Sequence, residues 1–451
     1  MNFIPAQDET RLRAAASGVL PNGKPVVVNA DGTVSVAAET AQGVGSVASF
    51  VSQGSNLVAS AFDSNSNKFV VSWRDASNNN YGTAVVGSVS GSSISFGTPV
   101  VFESAALNNS AAHNAMVFDS NSNKIVIAYG DGGNSNYGTA VVGTISGTNI
   151  SFGTPVVFNA GDTESISAAF DSNLNKVVIA FRDSGNSSYG TAIVGTVSGT
   201  GISFGSEVVF QSTNTNYTGT AFDSSQNKIV IAYTKYDSWF KGFAIVGTVS
   251  GTGISFGTAV QYDTDNSDGY DIAYVVATFD PSSNKVVLGY KGNNQYGQSR
   301  VVSISGTSIS YGAIATYESA VIGFNSVSSG GGKVVFAYQD AGDSNYINAS
   351  IGTVSGTSIS FATNVRLYAK YYQYIASVFD STANRFVISG KNNTDSNGNQ
   401  SFAFALDSNN LTAENYVGMS GGAVDFDEGP AATGSQVVFE SARANQTISV
   451  Y

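Results

Sequence analysis

Asp75, Asp131, Asp183 and Asp340 fall in one equivalent loop of a repeating sequence. Clustered carboxylates are the raw material of glycoside hydrolysis, which needs an acid and a base or nucleophile at a defined separation. These four recur by symmetry, whereas a catalytic site breaks symmetry by placing two groups in unlike surroundings. Arg74 and Arg182 are the only loop arginines at matching repeat positions, too few to assemble an arginine cluster. The chain has no cysteine and one histidine, His113, in a variable loop. Thiolate chemistry, disulfides and most histidine-dependent catalysis are thereby excluded. The recurrent Asp63-Ser-Asn65-Ser-Asn67 resembles the start of a calcium loop, but Lys68 stands where the glycine is required and the distal glutamate is missing. An Asx-turn accounts for it without metal. The expectation is a non-enzymatic protein with no cofactor and no metal; a glycan-degrading enzyme is the catalytic alternative.

The residues better suited to function are aromatic. The fourth repeat reads TKYDSWFKG where other copies read RDASNNNYG or RDSGNSSYG, which adds Tyr236, Trp239 and Phe240. The connection into the fourth repeat carries Tyr217, and the connection into the fifth carries Tyr262, Tyr270 and Tyr274. The connection into the seventh, YAKYYQYIAS, holds Tyr368, Tyr371, Tyr372 and Tyr374. Tyrosine and tryptophan combine apolar area with a hydrogen-bonding tip, which suits sugar rings and protein partners. The candidate ligand-contact residues are Tyr217, Tyr236, Trp239, Phe240, Tyr262, Tyr270, Tyr371, Tyr372 and Tyr374. Tyr81, Tyr137, Tyr189, Tyr296 and Tyr346 share one repeat position, which points to a structural role.

What positions these residues is a repeat. KFVVSW, KIVIAY, KVVIAF, KIVIAY, KVVLGY, KVVFAY and RFVISG begin at 68, 124, 176, 228, 285, 333 and 385. Each is β-branched and aromatic-rich and reads as a buried strand. Most copies are preceded by a strand ending in Phe-Asp, as at Phe62-Asp63, and followed by sequence like GTAVVGTISG (138–147) and NISFGTPVVF (149–158). Four short strands per unit of this length are the signature of propeller blades. The expected fold is therefore all-β, a seven-bladed β-propeller over 32–408 with short N- and C-terminal extensions. The seventh copy lacks a fourth strand, and DGTVSVAAET (31–40) imitates one. Residues 33–40 are thus expected to close the ring and remove an exposed edge. Residues 1–31 are then an N-terminal attachment segment. Residues 409–451 are a C-terminal segment, read as the start of a further repeat or as an inter-subunit strand. Residues 434–442 repeat 97–105 at seven of nine positions, and this surplus strand needs a partner in a neighbouring subunit or a following propeller.

Loop variability picks the functional face. First-to-second and third-to-fourth hairpins are nearly constant here, whereas second-to-third and inter-repeat loops vary and share the opposite face. Variable loops on a rigid scaffold are where binding resides.

A net charge of −12 and a pI near 4.5 argue against nucleic acid, whose phosphates need clustered lysine and arginine. No apolar run approaches the roughly 18 residues of a membrane span, and the first 18 residues lack a signal-peptide core. The assembled repeat is similar to those of tail-fibre and other virion structural proteins of marine bacteriophages, as are SGVLPNGKPVVVNADGTVSV (17–36) and LTAENYVGMSGGA (411–423). That resemblance implies a virion location, synthesis in the host cytoplasm and association with other virion proteins, as a homo-oligomer or part of a larger assembly. The variable aromatic loops lead to the expectation of an adhesin that binds a bacterial surface glycan or receptor. The alternative is a structural decoration or filament subunit that engages only virion proteins.

Overall fold

The computed structural model describes residues 4–5, 11–15, 25–28, 34–36, 44–51, 55–109, 114–263, 271–362, 364–393, 401–407, 418–419 and 436–440. The chain divides into two compact units, Val44–Ser408 and the paired terminal segments Met1–Gly43 with Asn409–Tyr451.

Within Val44–Ser408 the structure is an antiparallel meander repeated along the chain. An inner strand pairs with a second, the second with a third, and the third with a broken outer strand. In the third copy the inner strand is the latter half of Val156–Asp171, the second is Lys176–Asp183 and the third is Tyr189–Ser198. Gly201–Phe204 covers one end of that third strand, and the first half of Val208–Asp223 covers the other. A single strand therefore starts at the outer edge of one repeat and finishes as the inner strand of the next. The inner-to-second hairpin recurs seven times, from Ser55–Asp63 with Lys68–Asp75 to Val365–Asp380 with Arg385–Asn392. Among the described residues the helical turns are three short 3-10 turns, at 132–134, 184–186 and 341–343.

The continuous apolar run of each second strand follows from burial on both faces. Ile125, Val126, Ile127, Ala128 and Tyr129 are all buried. Their side chains alternate between two cores, each shared with an adjacent repeat. Ile125, Ile127 and Tyr129 pack against Leu57 and Val70 of the first repeat, and Val126 and Ala128 against Ile179 and Phe181 of the third. Val387 and Ala376 of the seventh repeat pack in the same way against Phe69 and Val71 of the first. The Asp-x-Asn-x-Asn hairpins are Asx-turns: Asp63 Oδ1 accepts from the N–H of Asn65 at 2.8 Å and of Ser66 at 3.0 Å. Asn67 then turns left-handed at φ 54°.

The closing strand differs from expectation. Of residues 33–40, Val34–Val36 pair with Pro25–Val28. The third strand of the seventh repeat, Ser401–Asp407, is instead paired by Ala48–Val51, with Ala403 opposite Ala48 and Phe402 opposite Ser49. The outer strand that matters is the part leading directly into the next inner strand, the Val-Val-Phe place. Phe50 fills that place, its ring 5.1 Å from Trp73 and 5.5 Å from Phe96. A segment at 33–40 imitates the other outer piece, the Ser-Ile-Ser-Phe place, and stands too far upstream to feed the first inner strand. The repeat unit accordingly starts at residue 44 rather than 32.

In the terminal unit, Arg11–Ala15 lies between Ile4–Pro5 and Gln436–Glu440, and Pro25–Val28 between Val34–Val36 and Gly418–Met419. The surplus strand at 436–440 therefore finds its backbone partner in this chain's own N-terminal segment. Segments 1–31 and 409–451 belong to one unit rather than two.

Candidate ligand-binding face

Every inner strand whose start is described carries a bulge close to the inter-repeat connection. The register slips between Asn56 and Ala59, Glu164 and Ser167, Asn216 and Gly219, Ala273 and Val276, Gly323 and Asn325, and Gln373 and Ala376. An extra residue inserted at such a point bends the strand and re-aims a side chain. The first residues in the six slips are Leu57, Ser165, Tyr217, Tyr274, Phe324 and Tyr374. Five of them are left-handed, with φ of 54° at Leu57, 48° at Ser165, 45° at Tyr217, and 50° at both Tyr274 and Tyr374. For a bulky L-residue that conformation costs about 1 kcal/mol or more, and it persists only where the surroundings enforce it.

Four successive inner strands place an aromatic ring at this bulge, left-handed at Tyr217, Tyr274 and Tyr374, and the rings touch in sequence. Tyr217 and Tyr274 lie 5.4 Å apart between centroids, Tyr274 and Phe324 5.4 Å, and Phe324 and Tyr374 4.9 Å. Each ring immediately precedes a residue lining a central cavity: Thr218, Val275, Asn325 and Ile375. The cavity is lined by a short segment from each of the seven inner strands and has a volume of about 210 Å³. That is smaller than the roughly 300–1,000 Å³ of ordinary ligand pockets. A ligand of sugar-ring size or larger would have to be met at the mouth, by the arc, and not in the channel. Hydroxyl contacts between neighbouring inner strands brace the wall, as where Ser167 Oγ lies 2.7 Å from Thr220 Oγ1.

The arc is half-buried, and burial raises the proton affinity of its three tyrosine hydroxyls. Tyr217 is pushed up to about 12, chiefly by burial and then by Tyr274 and Asp271. Tyr274 is raised by burial and by the neighbouring hydroxyls of Tyr374 and Tyr371. Tyr374 is raised by burial, with Arg74 acting in the opposite sense. Lys391 crosses the end of the arc, its Nζ 5.8 Å from the Tyr374 ring centroid.

A second aromatic group stands on the same face. The second and third strands of the fourth repeat, Lys228–Asp237 and Trp239–Ser250, are each two residues longer than Lys176–Asp183 and Tyr189–Ser198 of the third repeat. Tyr236 pairs with Phe240, and Ser238 turns the tip at φ 67°. Tyr236 is 49% exposed and Trp239 53%, unusual for residues of this size. The Phe240 ring meets Tyr236 edge-on at 5.3 Å, and its N–H donates to Asp271 Oδ1 at 2.7 Å. An aromatic-tipped hairpin results.

The structure thus brings Tyr217 and Tyr374 into the arc, and Tyr236, Trp239 and Phe240 onto the hairpin. Tyr371 is half-buried beside the arc, its hydroxyl accepting from Gln373 Nε2 at 2.7 Å. Tyr262 and Tyr372 are corrections. Both are fully buried and belong to the core, because their places are packing positions of the repeat. Tyr262 occupies the place of Phe102, Phe158 and Phe210 and packs on Tyr290 at 4.9 Å. A Cβ at Gly242 would come within 2.2 Å of the Tyr262 ring, which explains the glycine at this point of the third strand. Tyr270 and His113 lie outside the described residues. Tyr274 and Phe324 were absent from the candidate set, and aligning the repeats on the inner-strand bulge places them in one column with Tyr217 and Tyr374.

The loop carboxylates turn their own loops. Asp75 Oδ1 accepts from Ser77 N, Asp131 Oδ1 from Gly133 N, Asp183 Oδ1 from Asn186 N and Asp340 Oδ1 from Gly342 N, all between 2.8 and 3.1 Å.

No family model matches this chain, and no curated protein matches it. Among solved structures it is similar to a protein of unknown function from Dyadobacter fermentans, at 12% identity and TM-score 0.49, over 80% of this chain and 99% of that one. It is also similar to the six-bladed β-propeller fucose lectin of Aleuria aurantia, at 12% identity and TM-score 0.44, over 69% and 96%. A point mutant of that lectin in complex with Fucα1-6GlcNAc gives TM-score 0.43 at the same identity and coverage. Likenesses at this level carry no argument about function. On its own strand pairing, the chain is an all-β repeat protein of propeller type.

Proposed function

We propose that residues 44–408 close as a seven-bladed β-propeller and act as a non-enzymatic adhesin, binding a bacterial surface glycan through the face that carries the aromatic arc. The observation that carries this reading is the arc itself: Tyr217, Tyr274, Phe324 and Tyr374 in ring-to-ring contact at the bulge of four consecutive strands, the three tyrosines in the left-handed conformation. Strain kept in equivalent places, next to a channel mouth, is characteristic of a surface selected for contact. Flat rings with polar edges suit stacking against sugar faces. The seven-blade closure is supported by the cavity wall and by the core that joins the seventh repeat to the first. The non-enzymatic reading is supported by the loop aspartates, each engaged in a turn. Placement on a virion, among other virion proteins, rests on the resemblance of the repeats to phage tail-fibre sequences.

Binding of the protein to a panel of bacterial cells tests the reading. Mild periodate, which opens sugar diols, is expected to abolish binding, and protease treatment of the cells to leave it intact. Binding lost to protease and kept after periodate would replace the glycan with a protein receptor. Reducing sugar released over hours would make the chain an enzyme.

A further inference from the structure

Where the last repeat meets the first, positive charge collects without a counter-charge among the described residues. The end of each second strand faces the bulge of its own inner strand, and the repeats show what that pairing can be. In the third repeat Arg182 faces Glu164 and pairs with its carboxylate, with Ser188 Oγ accepting a further N–H. In the first repeat Arg74 faces Asn56, and in the seventh Lys391 faces Gln373. An amide has taken the acid's place in both.

The two cations are held in position all the same. Arg74 Nε donates to the carbonyl of Leu107 at 3.1 Å, which orients the guanidinium. Lys391 Nζ donates to Asn56 Oδ1 at 2.9 Å and lies over the Tyr374 ring at 5.8 Å. Two ion pairs elsewhere on the protein, Arg182 with Glu164 and Arg366 with Asp343, do not reach either group. Burial lowers the proton affinity of Lys391, and Arg74 lowers it further. Burial lowers that of Arg74 as well. Two like charges in a partly desolvated place cost free energy that an anion between them would recover.

We propose that Arg74 and Lys391, beside Tyr374, hold an anionic substituent of the bound glycan, a carboxylate or a sulfate ester. This rests on the glycan reading above and narrows it to acidic polysaccharide. The free edge of a guanidinium takes a planar oxyanion through two parallel N–H bonds, while an ammonium adds a point charge. The arc then stacks the neighbouring sugars and fixes the polarity of the chain.

Thermal melts in sodium galacturonate or sodium sulfate, against chloride at equal ionic strength, test the site without presupposing a glycan. The intact protein is expected to gain about 2 °C from at least one of them, and an Arg74→Gln/Lys391→Gln double variant to gain less than half as much. Arg182→Gln, which removes a cation already paired, should leave the gain unchanged. Should the double variant fail to fold, Lys391→Gln alone should reduce the gain. Equal gains in intact protein and variant overturn the site. Titration with trigalacturonate, a sulfated galactan oligosaccharide and neutral galactotriose is the second arm. An acidic sugar is expected to bind about tenfold tighter than the neutral one, and which acidic sugar binds separates carboxylate from sulfate ester. Equal affinity for all three overturns the anionic site and spares the glycan reading. An anion-specific gain in the first arm with no oligosaccharide bound keeps the site and sinks the glycan reading.

Discussion

Lys391 of the seventh repeat donates to Asn56 of the first, 2.9 Å from Nζ to Oδ1, although the two are 335 residues apart in sequence. The contact exists only if the two ends of the repeat array meet. A double-mutant cycle with Asn56→Ala and Lys391→Met is therefore expected to show coupling of about 1 kcal/mol in stability. Additive effects would mean that first and seventh repeats are not neighbours.

The pairing of Ala48–Val51 with Ser401–Asp407 separates two truncations. A protein ending at residue 408 and starting at residue 44 keeps the strand that pairs with Ser401–Asp407 and should stay soluble, with the repeat unit melting at an unchanged temperature. One starting at residue 55 loses it, exposes the third strand of the seventh repeat as an edge, and should aggregate. Light scattering and thermal melts read the difference.

Buried and exposed aromatics should part company in stability. Tyr262→Ala is expected to cost about 3–5 kcal/mol, as for large core aromatics, and Gly242→Ala about 1–3 kcal/mol by overpacking the same ring. Tyr236→Ala and Trp239→Ala should each stay within about 0.5 kcal/mol, as exposed positions do. Denaturant unfolding measures all four.

Lys291 gives a pH test. Burial alone lowers its proton affinity, and it stands opposite Ala273, which offers no side-chain partner. Its folded pKa is depressed below the ordinary lysine value of 10.5, so the unfolded chain binds the proton more tightly. The penalty is fully present below the folded pKa and is relieved as pH rises through it toward the ordinary value. Lys291→Met should therefore raise the melting temperature at pH 7, by on the order of 1 °C, with the advantage shrinking at alkaline pH. A constant advantage across that range would contradict the assignment.

The repeat, its four-strand pattern and the Asx hairpins were legible because each is stated many times in the chain. The closing strand was legible in kind and misplaced in detail, since 31–40 imitates one half of a two-piece outer strand while Phe50 fills the half that counts. Aromatic richness alone did not separate Tyr262 and Tyr372 from Tyr217 and Tyr374. The former occupy packing positions of the repeat and the latter a bulge, and a bulge is a register slip that no residue type announces. The cation pair was half legible: Arg74 stood out as a loop arginine, but its nearness to Lys391 depends on two repeats at opposite ends of the sequence.

The most direct test of the account is a glycan array probed with the intact protein and with a Tyr274→Ser/Tyr374→Ser double variant. The account predicts that the intact protein marks a small set of acidic bacterial polysaccharides and that the double variant, melting within about 3 °C of it, marks none. Retention of the same spots by a folded double variant, or an array left blank by the intact protein, would contradict it.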